Sequence, residues 1–253
     1  MEVPESIAQL REKIQAPRRS VDTWYGRHVM RFFSIYLTRF FIRWNWTPNQ
    51  ATLLSLVMGL GGACFFGVGL WGIGILGINL WYLVDHVDGE IARYTGKTSV
   101  TGYFFDTAVN FFVQPATFFA IGVGLGSPWG DAAGVIAAFG NLMLNMIPMC
   151  EDSIRLSICR KNGSLPVSTV PETQPNAVPG VMKRVFVFLH RVVTYPVFLL
   201  ILTGSYLFFF VFRVMQMRTL MLVILVLYAG CVSLVWIAQL VHKILTRKLD
   251  RSF

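Results

Sequence analysis

Asp85-His86-Val87-Asp88-Gly89-Glu90-Ile91-Ala92-Arg93 closes a hydrophobic run that begins near Leu70, and Gly102, Asp106 and Asn110 follow at the start of the next run. Hydrocarbon cannot solvate charge, so carboxylates inside apolar segments are costly and mark functional positions. Asp85 and Asp88 are spaced i, i+3, and Asp106 and Asn110 i, i+4, which places each pair on one helix face. The link between the two runs is short and polar, so the helices are antiparallel. Counted outward from that link, Asp85 and Asp106 lie at equal distance, and Gly102 is level with Asp88. Three carboxylates from two helices thus converge below one membrane surface. Such a group cannot ionise fully without a cation between its members. Hard oxygen ligands point to Mg²⁺, Mn²⁺ or Ca²⁺ and away from zinc. Gly89 and Gly102 remove side chains where something bulky must approach the backbone, and Arg93, nearer the surface, suits a phosphate.

Composition sets the frame around this stretch. The 253 residues are 55% hydrophobic and only 14% charged, where a soluble domain carries about 25% charge. Apolar runs of membrane-spanning length, about 20 residues, recur along the chain. The expected class is an all-α integral membrane protein. The first forty residues are charged and lack an early apolar core, so no cleavable signal peptide is expected. Cys64, Cys150, Cys159 and Cys231 show no metal-ligand spacing and read as small packing residues.

The net charge of +9 is unevenly spread. Eight Lys/Arg precede the first long apolar run, five lie between Arg155 and Arg184, and four lie from Lys243 onward. An excess of cations beside apolar spans marks the cytoplasmic side. The bilayer is therefore the expected partner and nucleic acid is not. In a bacterium this would be a multi-pass protein of the cytoplasmic membrane.

Six spans are expected, near 48–68, 71–93, 100–124, 132–154, 184–210 and 219–243, with both termini cytoplasmic. Gly59, Ala63 and Gly67 form a small-residue ridge on the first, suited to close helix packing. Residues 1–19 read as polar, broken by Pro4 and Pro17. From about Ser20 to Trp44 an amphipathic helix is expected in the headgroup plane, with Arg27, Arg31, Arg39 and Arg43 on a slowly drifting stripe and Trp24, Phe32, Phe33, Tyr36, Phe40 and Phe41 as its apolar share. The proline-containing stretch from Lys161 to Gly180 reads as a cytoplasmic loop with little regular structure. This divides the chain into a cytoplasmic and interfacial part, 1–46, a six-span domain, 47–246, and a tail, 247–253.

The pattern Asp85-x2-Asp88-Gly89-x2-Ala92-Arg93-x8-Gly102-x3-Asp106-x3-Asn110 resembles the signature of the CDP-alcohol phosphotransferases, also called CDP-alcohol phosphatidyltransferases. Thr47-Pro48-Asn49-x2-Thr52 also resembles what that family carries before its first span. The resemblance implies a membrane transferase that moves a substituted phosphate from CDP-diacylglycerol or a CDP-alcohol to an alcohol acceptor, releasing CMP, in phospholipid or related synthesis. It implies that Asp85, Asp88 and Asp106 hold divalent metal, two Mg²⁺ or Mn²⁺ ions, and that Gly89, Ala92, Arg93 and Gly102 line the CDP site. It also implies a homodimer. Thr47, Asn49 and Thr52 contact the nucleotide or cap the first span, with capping favoured for Asn49.

The signature departs from the family at its last position, where a fourth aspartate is usual. That aspartate is held to ligate metal and to take the proton of the attacking hydroxyl. Asn110 can offer an amide oxygen but cannot act as a base near neutral pH. A variant with another base, a binding-only relative and an engineered substitution all fit. His86 points about 100° away from its neighbour Asp85 on the helix, which favours a packing role. Glu151 and Asp152 are better-placed substitute bases. Arg155, His190 and Arg191 are candidates for the acceptor pocket, with headgroup contact as the alternative. His28 and His242 carry no usable signal. A cation transporter built on the same carboxylates stays open beside the enzyme reading.

Overall fold

A computed structural model of the chain describes residues 6–16, 23–161, 187–212 and 216–245. All regular structure among these residues is helical. A short α1 (Ile7–Leu10) runs into a π-helical turn, Arg11–Gln15, and a second π-helical turn, Gly26–Met30, leads into α2 (Arg31–Arg43). The long helices are α3 (Pro48–Gly67), α4 (Trp71–Thr95), α5 (Val100–Leu125), α6 (Pro128–Lys161), α7 (Tyr195–Phe212) and α8 (Met217–Leu245). Among the described residues five segments are long and apolar enough to cross a bilayer: α3, α5, Pro128–Ile158 of α6, α7 and α8. The fold is that of an α-helical integral membrane protein.

At 25 residues α4 has the length of a span, but Asp85, Asp88, Glu90 and Arg93 crowd its C-terminal half. Protein covers it instead of lipid alone: α4 packs against α2, α3, α7 and both π-helical turns. Its contact with α3 is made by glycine. A Cβ added to Gly77 would lie 2.7 Å from Gly62 Cα, and one added to Gly62 would lie 2.9 Å from Ile78 N. The two backbones therefore touch, which only residues without side chains permit. The predicted ridge on α3 is used in part. Gly59 faces Val113 and Trp81, and Ala63 is buried, but Gly67 faces open space.

Local chemistry explains the helix ends beside the charged stretch. Thr47 Oγ1 accepts from Gln50 N while Thr47 N donates to Gln50 Oε1, a reciprocal capping box in front of Pro48. Thr47, and not Asn49, is therefore the cap of α3. Gly96 ends α4 at φ +66°, a left-handed conformation that costs glycine little. Ser99 then caps α5 by accepting from Gly102 N at 3.0 Å. This tight link makes α4 and α5 antiparallel.

Three further expectations are corrected. The segment before Pro17 is not simply polar: Ser6 and Gln9 form a capping box, and Leu10 and Ile14 are buried against Ile35. Arg31 does not face headgroups but is buried beside Glu90. Finally, 184–210 is not one continuous helix. A helical stretch over 187–192 ends before Val193 and Thr194, and α7 starts at Tyr195. Pro196 has no N–H to continue the ladder, Val197 N turns to the Thr194 carbonyl, and the Val193 carbonyl this leaves free accepts from Tyr228 Oη at 3.1 Å. The expected loop beyond Lys161 and the tail 247–253 lie outside the described residues.

Candidate active site

The C-terminal half of α4 and the first turns of α5 bring the acidic residues together. Asn110 Nδ2 donates to Asp85 Oδ1 at 3.0 Å and to Asp106 Oδ1 at 3.2 Å. Asp85 is within hydrogen-bonding reach of Asp106 and close enough to Asp88 for the two charges to oppose each other. Asp88 also faces Asp106 and, with favourable sign, Arg93. The antiparallel register read from the short link is thus the one the helices adopt.

Each carboxylate is held by a partner from nearby. Asp88 is only 5% exposed. Its Oδ2 accepts from Thr52 Oγ1 at 2.6 Å, and its Oδ1 accepts from Gly89 N. Thr52 also donates to the Pro48 carbonyl at 3.1 Å, so the hydroxyl is tied to the first turn of α3. Hydrogen bonds to a charged acceptor contribute about 1.5–3 kcal/mol each. Thr52 therefore orients Asp88, while Thr47 is exposed at the helix end.

Arg93 is anchored through its Nε. Its Nε donates to the Ile14 carbonyl at 3.0 Å, and its Nη1 lies 3.2 Å from where a Gly89 Cβ would be. Gly89 therefore leaves room for the guanidinium as well as for a ligand. Ala92 is half-buried on the same helix. Gly102 faces Asn49, whose Oδ1 lies 3.4 Å from where a Cβ on Gly102 would be. His86 gives its Nδ1 hydrogen bond to the Tyr82 carbonyl at 2.8 Å and meets the Tyr82 ring edge-on.

The residues suggested farther along the chain lie on other helices. Glu151, on α6, forms an ion pair with Lys243 of α8, and Asp152 is exposed beside it. His190 is half-buried and Arg191 exposed in the helical stretch before the break at Val193. The side chain of Arg155 is outside the described part of the structure.

Two residues that sequence reasoning passed over matter here. Gln114 Nε2 donates to Asn110 Oδ1 at 3.1 Å, which turns the Asn110 amide nitrogen toward the carboxylates. Its i+4 spacing from Asn110 was the available signal. Glu90 lies inside the quoted stretch, is 0% exposed, and accepts from Ser34 Oγ, Thr38 Oγ1 and Gln15 Nε2. A carboxylate so far buried needs donors from outside its own helix, and sequence spacing cannot name them.

Among the described residues no three His, Cys, Asp or Glu side chains already surround a common point as metal ligands. One carboxylate oxygen each of Asp85 and Asp106 is engaged by Asn110, and both of Asp88 by Thr52 and Gly89. The donor set is nevertheless all oxygen from three mutually repelling carboxylates, which fits a hard divalent cation once those side chains turn.

The family model of CDP-alcohol phosphatidyltransferase matches residues 45–167. Over 127 residues the chain is 31% identical to a bifunctional IPC transferase and DIPP synthase of Aquifex aeolicus, covering 49% of this chain and 29% of that protein. Over 104 residues it is 35% identical to an uncharacterized protein of the same organism, covering 41% of this chain and 52% of that one. The chain thus spans at most about half the length of the curated relatives it matches. Crystal structures of Mycobacterium tuberculosis phosphatidylinositol phosphate synthase share the fold. The form with CDP-DAG bound has a TM-score of 0.53 at 19% identity, over 82% of this chain and 92% of that one. The complex with manganese and citrate has a TM-score of 0.56 at 16% identity, over 82% and 87%.

Proposed function

We propose, from the match of residues 45–167 to the CDP-alcohol phosphatidyltransferase family model, that the protein is a membrane transferase of that family acting on a CDP-linked donor. It moves the substituted phosphate of CDP-diacylglycerol or a CDP-alcohol to an alcohol, releasing CMP, in phospholipid or related phosphodiester synthesis. The observation that carries this reading is the gathering of Asp85, Asp88, Asp106 and Asn110 between α4 and α5.

Asp85, Asp88 and Asp106 would hold divalent cation, two Mg²⁺ or Mn²⁺ ions. When bound, the cations neutralise the pyrophosphate and stabilise the attacking and leaving oxygens. The chain's own residues do the rest. Thr52 fixes Asp88. Arg93, with Gly89, Ala92 and Gly102, supports the donor phosphates, and Thr47 borders the site at the start of α3. The acceptor hydroxyl oxygen attacks the phosphorus distal to cytidine, the bond to CMP breaks, and the hydroxyl proton passes to a base. Asn110 occupies the base position and cannot take that proton. Glu151 or Asp152 would accept it, and Arg155, His190 and Arg191 would line the acceptor pocket.

We further assign six spans, with α4 as the sixth, shielded span, within a domain over 47–246 flanked by 1–46 and 247–253. The helix before α3 lies at the headgroups. Its exposed Trp24, Phe32, Phe33, Tyr36, Phe40 and Trp44 support this placement. The site opens to the cytoplasm, and the chain works as a homodimer.

One observation favours a second reading, donor binding without transfer. Gln114 fixes Asn110 as a donor to the carboxylates at the position where a base is needed. CMP release decides between the two. Purified protein in lipid nanodiscs, given Mg²⁺ or Mn²⁺, CDP-diacylglycerol and a panel of polyols, should release CMP. Binding of CDP without release with every donor and acceptor would establish the second reading.

A further inference from the structure

We infer that the turn Ile14–Gln15 is a positioning clamp for the nucleotide-binding end of α4, a role that rests on the donor-binding reading above. Two bonds carry it. Gln15 Nε2 donates to Glu90 Oε1 at 2.8 Å, and the adjoining Ile14 carbonyl accepts from Arg93 Nε at 3.0 Å. Glu90 and Arg93 are three residues apart and so neighbour each other along α4, with Glu90 behind the face that carries Asp85 and Asp88. One turn of backbone thus grips the helix at two points and sets the height and direction of the Arg93 guanidinium.

The clamp is itself braced. Gln15 Nε2 also reaches the Arg31 carbonyl at 2.9 Å, and Ser34 Oγ and Thr38 Oγ1 complete the shell of Glu90 at 2.7 and 2.6 Å. Arg31 Nη1 stands 3.6 Å from Glu90 Oε1. Leu10, Ile14 and Ile35 form a small apolar cluster on the same elements. Apolar contact keeps the segment in place without fixing its rotation. The directed bonds to a fully buried carboxylate do that. Three separate elements, the Arg11–Gln15 turn, α2 and α4, therefore meet on Glu90. Glu90 commits its oxygens to Gln15, Ser34 and Thr38, so its value lies in aiming Arg93.

The test compares the full-length wild type with Gln15→Glu, which sets two carboxylates against each other, and with Gln15→Glu/Glu90→Gln, which restores an amide–carboxylate pair with the partners exchanged. Binding of CDP in the presence of Mn²⁺ and the thermal midpoint are measured on nanodisc preparations. Gln15→Glu should weaken CDP binding at least tenfold, and the double variant should return to within about threefold of wild type. Unchanged CDP affinity in Gln15→Glu would overturn the clamp, as would an affinity loss that the exchanged pair fails to repair while its thermal midpoint recovers. A double variant that recovers neither would also count against it. If the wild type itself binds no CDP, the functional reading falls first and the clamp falls with it.

Discussion

Asn110 on α5 bridges Asp85 on α4 with a 3.0 Å hydrogen bond from its amide, while Gln114 holds the other end of that amide at 3.1 Å. In this arrangement a neutral donor does part of what a cation would do, easing the repulsion between Asp85 and Asp106. It also leaves the site without a proton acceptor at that position.

Asn110→Asp should therefore raise CMP release while leaving donor affinity similar. General-base assistance is typically worth about 10²–10⁴-fold. If another base already serves, the change should do little or slow the reaction, and Glu151→Gln or Asp152→Asn should instead abolish release. Steady-state CMP assays on the three variants separate these outcomes.

Asp85→Asn, Asp88→Asn and Asp106→Asn should each weaken metal-dependent CDP binding. Each should also raise the melting temperature of the metal-free protein, because repulsion within the carboxylate group falls. Titration with CDP at fixed Mn²⁺, with a melting curve in chelator, reads both effects. Undiminished metal-dependent affinity in all three variants would remove the proposed metal site.

Thr52→Val keeps the shape but deletes the 2.6 Å bond to Asp88 and leaves that buried carboxylate short of a donor. The expected cost in stability is about 1–3 kcal/mol. CDP affinity should fall as well, since Asp88 loses its fixed orientation. Thr52→Ser, which retains the hydroxyl, should stay close to wild type in the same binding assay.

Gly77→Leu tests the backbone contact between α3 and α4. A Cβ there would sit 2.7 Å from Gly62 Cα, so the helices must separate, at about 1–3 kcal/mol for overpacking of this kind. Because α4 carries Asp85 and Asp88, CDP binding should weaken along with the melting temperature. Gly67→Leu, at a site facing open space, should change neither.

Orientation is tested by labelling. In a variant lacking the native cysteines and carrying Val170→Cys, a membrane-impermeant thiol reagent should react only after cells are opened. Reaction in intact cells would reverse the topology and move the site to the other face.

Sequence alone determined the class of molecule and which of its polar residues share a helix face. Apolar runs of bilayer length and the spacing of Asp85, Asp88, Asp106 and Asn110 are local properties. Helical periodicity converts them directly into faces and levels. The antiparallel register followed from a short link for the same reason. Tertiary structure decided which polar groups meet from afar. Glu90 takes its partners from Gln15, Ser34 and Thr38, at separations of 75, 56 and 52 residues, and this packing buries Arg31 where its helical stripe pointed to headgroups. The periodicity of Ile7, Leu10 and Ile14 was present in the sequence, but only its packing on Ile35 and Tyr94 gives that short helix a place. Likewise the break at Val193 holds because Tyr228, on another helix, satisfies the freed carbonyl. Local spacing fixes which face a residue lies on, whereas a buried hydrogen bond depends on where distant helices come to rest.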